Sequence, residues 1–141
     1  MFKNCFNGLL LMVLSAGALA DVRLEEPWVR AVPPVSSGTA GYFRLVNDTD
    51  APVTLTGARA DFAGHIMLHS MAPDANGLRR MSHEKAVMVA AGDTLVFEPG
   101  ARHLMIMGLT AVPKAGEQVR ICLEFRQREA LCVPFDVRLG Q

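Results

Sequence analysis

From residue 28 to residue 137, apolar side chains recur on alternate positions in short runs, and turn-forming residues bound each run. A period of two is the mark of a strand with one face buried. The runs are Trp28 to Val32, Thr39 to Val46, Val53 to Ala58, Ile66 to Met71, Thr94 to Phe97, Leu104 to Met107, Val119 to Phe125 and Leu131 to Val137. Between them lie Asn47-Asp48-Thr49-Asp50, Asp74-Ala75-Asn76-Gly77, Glu98-Pro99-Gly100 and Pro113 to Gly116, each supplying turn chemistry. Asn76-Gly77 is the strongest hairpin signal. Helical periodicity is weak, and there is no internal repeat or low-complexity segment. The pattern predicts one all-β domain of eight or so strands, folded as a β-sandwich or barrel. Val32-Pro33-Pro34-Val35-Ser36-Ser37-Gly38 reads as a loop inside it, because too little chain precedes it to fold alone.

Residues 1–20 break the alternation. Lys3, an apolar run from Leu9 to Leu14 and the small-residue ending Ala18-Leu19-Ala20 read as a secretory signal peptide, with residues 21–141 as the mature domain. The alternative, an uncleaved anchor helix, needs a longer apolar run to span a bilayer. Cys5 stands too early to be a lipid-modified cysteine at the cleavage point. No later segment is long and apolar enough to cross a membrane. The expected destination is an oxidising compartment, the periplasm if the source is a Gram-negative bacterium.

The whole chain carries 14 basic and 14 acidic residues, and loss of Lys3 leaves 13 against 14. No basic tract stands out, so nucleic acid is not an expected partner. Export changes the reading of the two remaining cysteines, Cys122 and Cys132, for which a disulfide is the default. Ile121, Leu123 and Phe125 alternate on one strand, and Leu131, Val133 and Phe135 on the next. A hairpin centred on Gln127 sets residue 122 opposite residue 132.

After residue 20 there are four histidines (His65, His69, His83, His103) and six methionines (Met67, Met71, Met81, Met88, Met105, Met107), all between residues 65 and 107. They also alternate. His65, Met67, His69 and Met71 share one face of a strand, Met81 and His83 another, and His103, Met105 and Met107 a third. Ile66, Leu68, Leu104 and Ile106 supply the opposite, apolar face. Core strands more often use Val, Ile or Phe at such positions. Thioether sulfur is a soft neutral donor and imidazole a borderline one, so a mixed site without thiolate or carboxylate favours Cu(I) over zinc, calcium or magnesium. A blue-copper electron carrier needs a cysteine ligand, which a disulfide would withhold. Clustering favours His69, Met81, His103 and Met105 as ligands. Met88 reads as core filler and Met67 as packing, His65 and His83 as solvated residues at loop edges, and Met107 as either packing or support for the ligands.

The four favoured residues carry a resemblance. His69, a position open to an optional Met and held by Ser70, ten residues, Met81, twenty-one residues, His103, one residue and Met105 match the signature of the PCuAC family of periplasmic copper chaperones. The flanks Trp28-Val29-Arg30-Ala31, Pro33-Pro34, Gly41-Tyr42-Phe43, Asn47, Ala91-Gly92-Asp93, Glu98-Pro99-Gly100 and His103 to Leu109 are similar to the family too, across nearly all of the mature chain. The resemblance implies a cupredoxin-like Greek-key fold binding one Cu(I) through His69, Met81, His103 and Met105, with Met71, His83 and Met107 as possible secondary or supporting residues. It implies delivery of copper to cytochrome c oxidase assembly, with a Sco-type thiol protein or an oxidase subunit as partner, and a monomer. Cys122, Cys132 and His83 depart from the family pattern. The sequence ends at Arg138-Leu139-Gly140-Gln141 without the His- and Met-rich extension that some relatives carry, so a second copper site is not expected.

Two rival readings remain at this level. One is copper buffering for tolerance without a delivery target. The other is a metal-free adaptor or adhesion module whose His/Met face is only packing. An enzyme is not expected, because no nucleophile, base and acid form a constellation.

Overall fold

The computed structural model describes residues 20–140. The leader expected over residues 1–20 therefore lies, apart from Ala20, outside the described residues. Alternation becomes ten strands: β1 (Val22–Arg30), β2 (Gly38–Asn47), β3 (Val53–Arg59), β4 (Ala63–Pro73), β5 (Arg79–Glu84), β6 (Val87–Val89), β7 (Thr94–Phe97), β8 (His103–Leu109), β9 (Gln118–Phe125) and β10 (Leu131–Arg138). Among the described residues there is no helix, hence none long and apolar enough to cross a membrane.

Seven strands close into a barrel, in the order β3, β4, β8, β2, β1, β10, β9 and back to β3. The closing step is the pairing of Ala58 with Ile66. All ring neighbours run antiparallel except β1 and β10, which run parallel. Closure removes the open edges that an unclosed sheet would leave exposed. Three strands are appended: β5 on β4, β6 on β3, and β7 on the C-terminal half of β2, whose N-terminal half pairs with β8. The loop between β7 and β8 leaves the sheet where β2 changes partner.

Inward-facing alternate residues fill the barrel. Val29, Phe43, Leu45, Leu55, Leu68, Leu104, Ile106, Ile121, Leu123 and Phe135 are buried. Burial stabilises each by about 1.5–3 kcal/mol against exposure. Phe43 stacks on Phe97 at 4.3 Å between ring centres and meets Phe135 edge-on at 5.9 Å. Asn47, a buried polar residue, has its polar atoms satisfied: Nδ2 donates to the carbonyls of Ala51, Val89 and Ala90, and Oδ1 accepts from the Thr49 amide. These bonds pin the β2–β3 turn to the end of β6.

The expected hairpin is present. Cys132 stands opposite Cys122 across β9 and β10, and a disulfide joins them. Three expectations change. β1 begins at Val22, not Trp28; Glu26 takes a positive φ of 51° and the register shifts between Glu25 and Trp28, so this bulge before Pro27 interrupts the alternation. Ten strands replace eight, because β5 (RRMSHE) carries no apolar face and β6 is only three residues long. Met88 is not core filler: it points outward from β6 and is 66% exposed, between the buried Val87 and Val89.

Candidate metal centre

The central strand of the candidate site is β4, with β5 on one side and β8 on the other. Its even positions, Ile66 and Leu68, enter the core beside Leu104 and Ile106 of β8. Its odd positions therefore face outward, because successive side chains of a strand alternate. The register sets His69 opposite both His103 and His83, Met71 opposite Met81, Met67 opposite Met105, and His65 opposite Met107. Opposed side chains on adjacent strands are direct neighbours. Residues far apart in sequence thus form one grid of imidazoles and thioethers.

Within that grid the tightest approach is His69 Nδ1 to Met81 Sδ, 3.0 Å. The rings of His69 and His103 lie 5.6 Å apart and nearly perpendicular, at 82°. Met105 follows His103 by two positions and stands opposite Ala40 of β2. A cavity of about 370 Å³ opens here, with Met71, Met81, His103 and Met105 on its walls beside Arg30 and Tyr42. Small residues on β2 make the hollow. A Cβ at Gly38 would lie 2.7 Å from Met107 Sδ and 2.9 Å from the Ile106 carbonyl, so only glycine lets Met107 lie down there. Met107 is thereby packed over β2, while His65 is exposed.

Depth differs among the donors. His103 is 7% exposed and forms the floor; Met81, 51% exposed, forms the rim. His103 Nδ1–H donates to the Ala101 carbonyl at 3.2 Å. A carbonyl can only accept, so this bond fixes the tautomer and leaves Nε2 as a free lone pair. The pKa of His69 lies below the usual 6.5, chiefly through desolvation and then through the nearby His103 and His83. A neutral imidazole is the form that can bind a metal. As the side chains stand, no three His, Cys, Asp or Glu among the described residues are grouped to hold a metal. An ion in the His69–His103 corner therefore depends on the thioethers.

Two arginines fasten the edge strand that carries Met81. Arg102, the residue before His103, makes two bonds to the Glu84 carboxylate at 2.7 and 3.1 Å, with both side chains mostly sheltered. Arg79 donates to the Gly100 carbonyl in the β7–β8 loop. Asp74 accepts from the amides of Asn76 and Leu78 and shapes the β4–β5 turn, where Gly77 takes φ +78°. Sequence reasoning missed Arg102, Glu84 and the small residues Gly38 and Ala40 as parts of the site. They carry no donor signal of their own, and only the strand register reveals their positions.

The family model described as "Putative lipoprotein LpqE-like" matches residues 22–137. A curated relative, "Putative lipoprotein Lxx21020" of Leifsonia xyli subsp. xyli, is 32% identical over 111 residues, covering 77% of this chain and 65% of that protein. The chain spans less than two thirds of the length of the curated relatives it matches. Among solved structures, the copper-bound PCuAC domain from PmoF2 superposes with a TM-score of 0.73 at 20% identity, covering 87% of this chain and 97% of that one. That likeness is one of fold. The solution structure of CuI-DR1885 from Deinococcus radiodurans has a TM-score of 0.67 at 34% identity, covering 87% of this chain and 81% of that one. On the family match over nearly all of the described residues, the chain belongs to the LpqE-like family.

Proposed function

We propose that this protein is a non-enzymatic copper carrier of the periplasm, that it binds one Cu(I) per chain through His69, Met81, His103 and Met105, and that it delivers the ion to the assembling copper centres of cytochrome c oxidase. The observation that carries the reading is the convergence of two imidazoles and two thioethers on one face, with neither carboxylate nor free thiolate among them. That donor set suits a soft monovalent ion. Copper-bound and CuI-bound structures among the neighbours support the choice of metal, and the lipoprotein names of the relatives support export.

The depth of the donors gives the chemistry of release. Four neutral ligands leave the ion its full positive charge, which attracts an incoming thiolate. Met81 at the rim is the ligand a partner reaches first, and a thioether yields more readily than an imidazole. His103 at the floor, held by Ala101, keeps its place until a second partner ligand arrives. A Sco-type thiol protein, or the oxidase subunit itself, would then take the ion by ligand exchange, driven by the difference in affinity between the two sites.

Two measurements test this. Met105→Ala should weaken Cu(I) binding at least tenfold in competition with a chromogenic chelator, with the far-ultraviolet circular dichroism unchanged; unaltered affinity would remove Met105 from the ligand set. Mixing the Cu(I)-loaded protein with a copper-free Sco-type partner should move the ion to the partner. Retention of copper by this protein would replace delivery with buffering.

A further inference from the structure

Beyond the donors, the outward face of the barrel continues onto β2 and β1. Gly41 of β2 stands between Leu104 of β8 and Val29 of β1, and all three are buried toward the core. One position away, Met105, Ala40 and Arg30 therefore share an outward rung. Ala40 is the small member, and the cavity runs over it from Arg30 on the β1 side to Met81 on the β5 side. The backbones of β1 and β8 are two strand spacings apart, about 10 Å. That is comparable to the Debye length at physiological salt, so a charge on Arg30 is felt at the metal face.

Arg30 is a cation without a counter-charge. Its Nε is buried and has no hydrogen-bond partner among the described residues. Arg23, Arg59 and Arg102 each pair with a carboxylate, whereas among the described residues none pairs with Arg30. No Asp or Glu lines the cavity. Arg79 adds positive charge at the same mouth, since it donates to the carbonyl of Gly100, another cavity residue. The Arg30 guanidinium is also held in place. Its Cζ lies 5.7 Å from the centre of the Tyr42 ring, and a Cβ added at Gly140 would come within 3.1 Å of its Nε.

We propose that Arg30 is the docking point for a carboxylate on the protein that receives the copper. The inference rests on the reading that the cavity holds Cu(I), and it names the chemistry of the partner. A planar guanidinium matches a carboxylate better than it matches a single thiolate sulfur. Because the group is already positioned, little side-chain freedom is lost on docking. Cu(I) held by neutral ligands adds a second positive charge, so the loaded cavity attracts an acidic surface more strongly than the empty one. A carboxylate on Arg30 brings the partner's thiolate over the cavity that Met81 and Met105 line. A copper–thiolate bond then forms as a copper–thioether bond breaks, and the ion stays Cu(I) throughout. Once the ion has left, the attraction weakens and the partner is released.

The test uses three synthetic peptides: one with two cysteines flanked by glutamates, the same peptide with glutamines for the glutamates, and the acidic peptide with serines for the cysteines. Cu(I)-loaded wild type should transfer copper to the acidic peptide at least fivefold faster than to the glutamine peptide at low salt, with the advantage falling under about twofold at 0.5 M salt. Arg30→Gln should lose the advantage while binding Cu(I) at least as tightly as wild type, because a neighbouring cation has been removed. Arg30→Lys, which keeps the charge but not the planar donors, should keep part of it. In the copper-free protein, the serine peptide should shift the Arg30 Nε–H signal in nuclear magnetic resonance. Equal transfer rates to the two cysteine peptides, or an acidic advantage that Arg30→Gln retains, would overturn the proposal and leave the Cu(I) carrier standing. A wild type that binds no Cu(I) but whose Arg30 signal moves with the serine peptide would sink the carrier and leave the docking point standing.

Discussion

Replacing Cys122 and Cys132 together by alanine probes whether the staple and the metal face are independent. The bridge spans a sequence separation of 10, which closes a loop of about 11 residues in the unfolded chain. The chain-entropy relation for a loop of that size gives about 9 cal/mol/K, or about 2.7 kcal/mol at 25 °C. A domain of about 120 residues unfolds with an entropy of about 0.25 kcal/mol/K, so the melting midpoint should fall by about 11 °C. The bridge lies on β9 and β10, which stand across the ring from β8. Cu(I) affinity should therefore stay within about twofold of wild type. The assay is thermal unfolding by circular dichroism without reductant, followed by anaerobic Cu(I) competition. A fall of under 3 °C would refute the stabilisation argument. A tenfold loss of Cu(I) affinity would refute the independence of the site and point to the two sulfurs as ligands. The double variant also matters as a control, because Cu(I) assays contain reductant that can open the bridge and create two thiols.

Three further outcomes are expected. Gly38→Ala forces its Cβ against Met107 Sδ and against the Ile106 carbonyl, and the backbone oxygen cannot give way; stability should fall by about 1–3 kcal/mol, read from the urea midpoint, and an unchanged midpoint would refute the close approach of β2 and β8. Glu84→Gln loosens the Arg102 contact that fastens β5; at roughly 1 kcal/mol for such a partly exposed pair, hydrogen exchange of the β5 amides should accelerate about fivefold, and no acceleration would mean the pair does not hold the strand. In the apo protein His69 should titrate below 6.5 by nuclear magnetic resonance, because burial and two neighbouring imidazoles disfavour its cation. Since the unfolded chain then binds the proton more readily, this group's contribution to stability is full above pH 6.5 and declines as pH falls from 6.5 through the folded value. A His69 pKa at or above 6.5 would contradict the crowding of imidazoles.

The alternation of Ile66, Leu68, Leu104 and Ile106 against histidine and methionine was enough to place β4 and β8 and to put their donors on one face, because a strand's period of two leaves no other arrangement. The same logic set Cys122 opposite Cys132. It missed β5 as a strand, because Met81 is the one apolar residue there: β5 is a strand because β4 offers it an edge and Asp74 with Gly77 turns the chain back. It failed at Met88 because a strand of three residues shows no period, and the buried Val87 and Val89 on either side turn Met88 outward. The choice between sandwich and barrel rests on the Ala58–Ile66 pairing, a contact between strands that no local pattern announces. The walls and fastenings of the site were equally hidden. Gly38, Ala40, Glu84 and Arg102 gain their roles only from the register that brings β2 and β5 to either side of the donors.

The most direct test of the central claim is an anaerobic Cu(I) titration of the wild-type protein against a competing chelator, beside His103→Ala. His103 is the buried donor whose free nitrogen is set by its bond to Ala101. The account predicts one tightly bound Cu(I) in wild type and binding at least tenfold weaker in the variant. Absence of tight binding in wild type, or equal affinity in the two, would mean that the His/Met face is packing and that the protein carries no copper there.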